Sequence, residues 1–110
     1  MAINSRSKGK VGELELANLL KEYGHSTRRG VQYSGLTGAA DVVGLPGVHI
    51  ECKRVEKLNL YKAMAQSIRD SKEKAIPTVM HRKNRQEWLV TLRLDDFMKL
   101  YEKAEVSNDY

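Results

Sequence analysis

The chain has 110 residues, of which 41% are apolar and 30% charged, a balance that suits one small folded domain and excludes both a disordered chain and a protein with two cores. Nineteen Lys and Arg against 14 Asp and Glu leave a net charge of +5, which favours a polyanionic partner such as nucleic acid. The single cysteine, Cys52, excludes an intrachain disulfide, and no apolar run suggests a membrane span or a secretory signal, so a cytoplasmic protein that leaves membranes alone is expected.

Residues 1 to 10 carry Arg6, Lys8 and Lys10 among Ser, Asn and Gly, and residues 1–9 read as a mobile basic arm suited to a DNA backbone. The stretch from Val11 to Tyr23 predicts a helix, with Leu16, Leu19, Leu20 and Tyr23 as its apolar stripe and Gly24 as its stop. Glu13 and Glu15 both fall at the margins of that stripe, and helical geometry alone does not choose between them. Residues 25–33 give a weak strand in which Arg28 and Arg29 are candidate phosphate contacts, and a glycine-bearing loop, SGLTGAA, follows.

Asp41, Val42 and Val43 read as a short strand, GLPG as a turn, and Val48 to Val55 as a longer strand, so the three strands predict an antiparallel meander. Between Leu60 and Ala75 the positions Leu60, Ala63, Met64, Ile68 and Ala75 follow helical spacing, and Pro77 ends the pattern. Thr78 to His81 and Trp88 to Leu92 predict a hairpin around RKNRQE, after which Asp95 caps a closing helix carrying Phe97, Met98, Leu100 and Tyr101. The order α-β-β-β-α-β-β-α makes a single α/β domain over residues 1–110, a mixed five-stranded sheet flanked by helices.

Alternate residues of a strand share a face, so Glu51 and Lys53 in HIECKR address the same side of the sheet, with His49 beside them. If the Asp41 strand pairs back through GLPG, Asp41 approaches Glu51 although ten positions separate them. Two neighbouring carboxylates repel each other and attract a hard divalent cation such as Mg²⁺, for which the main-chain carbonyl of Cys52 offers a third oxygen and a helix carboxylate a further one. Lys53 would then orient a water and stabilise the charge that develops on a phosphodiester.

The order of Glu, Asp41, Glu51 and Lys53 resembles the PD-(D/E)xK nuclease superfamily. More closely, KGKVGELELANLLKEYG, the loop after it, ADVVG and HIECKR are similar to the archaeal-type Holliday junction resolvases, which cellular and viral genomes encode. The likeness is carried by residues 8 to 54, with Ala40 where the superfamily often has Pro. It implies a restriction-endonuclease-like core, with Glu13 rather than Glu15 as the helix carboxylate because a Lys-Gly pair precedes it by a fixed step.

The same resemblance implies Asp41 and Glu51 as metal-binding acids, Lys53 as the catalytic lysine, Ser34 near the scissile phosphate with Thr37 as a second candidate, and Gln66 as a water or phosphate contact. Mg²⁺, with Mn²⁺ as a substitute, and a homodimer acting on four-way DNA junctions complete the expectation. Leu58, Leu60 and the 78–92 hairpin are the candidate dimer patches. The rivals are a superfamily nuclease for another branched or duplex DNA, and a nucleic-acid-binding module without catalysis.

Overall fold

The computed structural model describes the backbone of residues 5–30 and 40–107, with side chains from residue 9 onward. Three helices and five strands follow one another as α1 (Ser5–Glu22), β1 (Arg28–Arg29), β2 (Val42–Val43), β3 (Val48–Arg54), α2 (Leu60–Asp70), β4 (Ile76–Arg82), β5 (Leu89–Leu92) and α3 (Leu94–Lys103). This is the predicted order. The strands stand side by side in chain order, antiparallel throughout except for β3 and β4, which run parallel because α2 carries the chain back across the sheet.

Helix α1 buries Leu16 and Ala17 against Val42, Ile50 and Met80, and Leu20, Cys52 and Trp88 close the margin of this core. Its exit is pinned by the buried Thr27, whose hydroxyl donates to the Ala17 carbonyl at 2.7 Å and so ties β1 to the helix. Helix α2 forms a second, smaller cluster through Ala63, Met64 and Val79. Asn59 caps it, its side-chain oxygen accepting from the Lys62 amide at 3.1 Å.

Several boundaries depart from the sequence pattern. The basic stretch read as an arm is helical from Ser5, so Arg6, Lys8 and Lys10 belong to the opening turns of α1. Tyr23 lies past the helix and is exposed, because the apolar stripe ends at Leu20. Helix α2 stops at Asp70, short of Ala75, and it buries Ser67 rather than Ile68, the Ser67 hydroxyl donating to the Thr78 carbonyl at 2.8 Å.

Pro77 does not end a helix; it lies inside β4. Its missing N–H costs nothing there, because pairing with β5 begins one residue later, at Thr78 opposite Leu92. Arg93 rather than Asp95 is the N-cap of α3, and Asp95 and Asp96 occupy the first turn. Leu58 and Leu60, candidate dimer residues in the sequence, pack instead against the Ala63, Met64 and Val79 cluster. Phe97, Met98, Leu100 and Tyr101, by contrast, remain substantially exposed.

Candidate active site

Val42 pairs with Ile50, and Asp41 stands one residue outward of that pair, beside the stretch of β3 that carries Glu51. The Asp41 amide donates to the Ile50 carbonyl at 2.9 Å, and Asp41 Oδ2 accepts from the Cys52 amide at 2.8 Å. The aspartate is therefore fastened to β3 at both its main chain and its side chain. β3 itself is central, paired on both sides, which makes it a firm base for Glu51 and Lys53.

Glu51 is only 2% exposed, although a strand face of alternating charges would ordinarily be solvated. The groups that approach its carboxylate are the His49 ring, with Nε2 at 3.8 Å from Oε1, and the Lys53 side chain, with Nζ at 4.0 Å from Oε2. Both exceed hydrogen-bonding distance. The Nε2 atom of buried His49 likewise has no hydrogen-bond partner among the described residues. A buried carboxylate held so loosely is an uncompensated cost unless a further group completes it.

Glu13 reaches the same region from α1. Burial pushes its carboxyl above the ordinary range, against the opposing charge and hydrogen bonding of Arg29, and the negative charge of Glu51 adds to the upward push. Arg29 Nη2 lies 3.6 Å from Glu13 Oε1. The sequence pattern missed what places Glu13 here. Gly12 brings α1 so close to β3 that an added Cβ would stand 2.9 Å from Arg54 Cβ, a spacing real side chains do not adopt. Only the small residue immediately before the glutamate could have signalled this.

Glu15 has a different role. It receives the indole N–H of Trp88 at 3.0 Å and lies 2.9 Å from Arg82 Nε and 3.6 Å from Arg54 Nη1. The Arg82 guanidinium also sits 5.9 Å from the Trp88 ring centroid. Glu15 thus joins α1 to the ends of β3 and β4. Neither composition nor periodicity distinguishes this from a ligand position, because Trp88 is 73 residues away in sequence.

The Cys52 thiol is pushed up to about 12, first by burial and then by the charges of Asp41, Glu13, Glu15 and Glu51. Those four carboxylates lie near enough for their charges to act on this one strand position. Among the described residues no three His, Cys, Asp or Glu side chains stand close enough to hold a metal ion between them as they are. The donors nevertheless suit a hard divalent ion in kind, since they are carboxylates whose charges oppose one another, one of them only 2% exposed.

The remaining candidates are spread around this centre. Lys10 is exposed on α1, and Arg6 and Lys8 lie in its first turns. Arg28 is exposed and donates to the Ser26 carbonyl at 3.4 Å, whereas Arg29, read from sequence as a phosphate contact, is engaged with Glu13. Gln66 is half-buried on α2. Ser34 and Thr37 lie outside the described residues.

Residues 4–110 match the model of the family described as "Phage putative PDDEXK endonuclease". The chain belongs to that family. It is a nuclease of the PD-(D/E)xK type, and its mixed sheet and element order agree with a restriction-endonuclease-like fold. No curated protein and no solved structure matches the chain. Among the described residues no helix is long and apolar enough to cross a membrane.

Proposed function

We propose that this PD-(D/E)xK nuclease is a structure-selective DNA endonuclease of the host cytoplasm, resolving four-way junctions by paired hydrolytic nicks that leave 5′-phosphate ends. The observation that carries the catalytic part is the pair of bonds that fastens Asp41 to β3 at Ile50 and Cys52, on either side of Glu51, with Lys53 two residues beyond Glu51 on the same strand. The junction preference draws support from the likeness of residues 8 to 54 to the archaeal-type resolvases and from the net charge of +5. Two symmetric cuts call for two sites, hence two copies of the chain.

Asp41, Glu51, Glu13 and the Cys52 carbonyl would hold Mg²⁺, with Mn²⁺ as a substitute. A divalent ion there would neutralise charge on the phosphate and make the attacking water more acidic. Lys53 extends from a partly exposed position, where its ammonium can donate to a non-bridging phosphate oxygen as negative charge accumulates. Water attacks phosphorus, the bond to the 3′ oxygen breaks, and the 3′ hydroxyl leaves with a proton. Ser34 would contact the phosphate beside the cut. Lys8, Lys10, Arg6, Arg28 and Gln66 would hold flanking DNA, and Arg29 would do so only after exchanging its contact with Glu13.

The test is cleavage of an end-labelled four-way junction beside a linear duplex of the same sequence, with Mg²⁺ or chelator, and with Asp41→Ala as control. Symmetric nicks in the junction alone, absent with chelator and in the variant, are expected. Equal cutting of the duplex would replace junction selectivity by the reading of a nuclease for other DNA. Binding without cutting under any divalent ion would favour a non-catalytic nucleic-acid-binding module.

A further inference from the structure

His49 stands on β3 two residues before Glu51, on the same face of the strand, and the chemistry proposed above gives its imidazole no task. The residue is 5% exposed, and its main chain is pinned, since the Thr78 hydroxyl donates to the His49 carbonyl at 2.9 Å. On β4 its register neighbour is Pro77 and that of Glu51 is Val79, both fully buried and neither with a side-chain donor or acceptor. A ring nitrogen left in such a place without a hydrogen bond is a standing cost, and Nε2 of His49 is one. It faces Glu51 Oε1 at 3.8 Å, whereas Glu51 Oε2 faces Lys53 Nζ at 4.0 Å. The two carboxylate oxygens thus have different neighbours, a buried ring on one side and a partly exposed ammonium on the other.

We infer that His49 is a positioning residue, whose Nε2–H donates to Glu51 Oε1 and so leaves Oε2 as the oxygen that Glu51 presents to a divalent ion. The inference rests on the reading of Glu51 as a metal-binding acid. Along the strand Glu51 lies between His49 and Lys53, so the imidazole backs the carboxylate from the side away from the lysine and the Cys52 carbonyl. Less than about 1 Å separates the observed 3.8 Å from an N–H···O distance of about 2.9 Å, and contacts of this kind are often long in an empty site and shorten when it is loaded. A neutral ring with its proton on Nε2 suffices, so the contact needs no charge on the imidazole. A carboxylate free to turn about its last bond loses that freedom when it takes up an ion, and a hydrogen bond at one oxygen removes the loss in advance. Alternate residues of a strand stand about 7 Å apart, so only a side chain about as long as histidine reaches the next carboxylate on its face.

Calorimetric titration of the full chain with Mn²⁺, without DNA, tests it on the wild type and on His49→Gln, His49→Asn and His49→Leu, each checked for folding by circular dichroism. Gln carries an amide N–H to about the place of Nε2, whereas Asn stops short of it and Leu has no donor. Affinity is expected to fall on the order of 10- to 100-fold in the Asn and Leu variants and to stay close to wild type in the Gln variant. If the Leu variant does not fold, the Gln and Asn variants, alike in polarity and different in reach, still decide. Electron spin echo spectra of the bound Mn²⁺ are expected to lack a histidine nitrogen coupling, because the imidazole acts through Glu51. Such a coupling in the wild type, or Gln and Asn variants that bind alike, overturns the inference and leaves the metal reading of Glu51 in place. A wild type that takes up no Mn²⁺ overturns that reading itself, and the inference with it.

Discussion

At the scale of single residues, Glu13 and Glu15 are two carboxylates two positions apart with opposite roles, and the contrast can be measured. Glu13→Gln is expected to lower cleavage on the order of a hundredfold or more while leaving the fold intact. It also removes a group whose folded value lies above the ordinary 4.5. Such a carboxyl favours folding when protonated, so its contribution is fully present below 4.5 and is lost as pH rises through the raised value. Urea melts at pH 4 and pH 7 should therefore show the wild type losing stability relative to the variant on going to neutral pH. Glu15→Gln should do the reverse, costing about 1 kcal/mol of stability through its contacts with Trp88 and Arg82 while cleavage of the folded fraction persists. The Cys52 thiol, pushed up to about 12, should resist iodoacetamide at pH 8 until urea exposes it. Rapid labelling of the folded chain would mean that burial and the neighbouring carboxylates do not hold the thiol back.

At the scale of elements, the crossing of α1 over β3 sets the distance between Glu13 and the strand acids, and Gly12 is the contact point. Gly12→Ala gains about 1 kcal/mol in helix propensity, which offsets much of the lost packing, so melting should move little. Cleavage should fall on the order of tenfold or more, because the helix must shift away from β3. Equal losses in stability and activity would assign Gly12 to packing alone. The sheet was legible in the sequence because β3 and β4 are β-rich runs bounded by turn residues, and the Asp41, Glu51 and Lys53 spacing survives any small error in strand ends. The start of α1 was not, since the Ser and Gly among residues 5–10 are poor helix formers and the stretch gives no apolar period. Nor was the use of Pro77, which depends on where the neighbouring strand begins. The burial of Glu51 was likewise hidden, because it follows from α2 docking through Ala63, Met64 and Val79, the last standing beside Glu51 in the parallel register.

At the scale of the molecule, a net charge of +5 predicts DNA affinity that falls steeply with salt, by on the order of a thousandfold between about 50 and about 200 mM if several phosphates are neutralised. Titration of a fluorescent junction in chelator, where no strand is cut, reads this separately from catalysis. The two halves of the candidate site also rest on very different supports. Glu51 and Lys53 belong to a seven-residue strand locked between neighbours, whereas Asp41 precedes a two-residue strand whose outer companion, β1, is equally short. Amide hydrogen exchange should show the consequence as a gradient, with the Gly30 and Asp41 amides, which bond to Asp41 and Ile50 carbonyls, exchanging well before those at the centre of β3. One acid can then swing off its counterpart while the scaffold stays folded, and any cation that joins the two acids would slow exchange at the margin far more than in the centre. The enzyme's resting state would on this account be a half-latched one, armed by whatever closes the last two residues of its sheet.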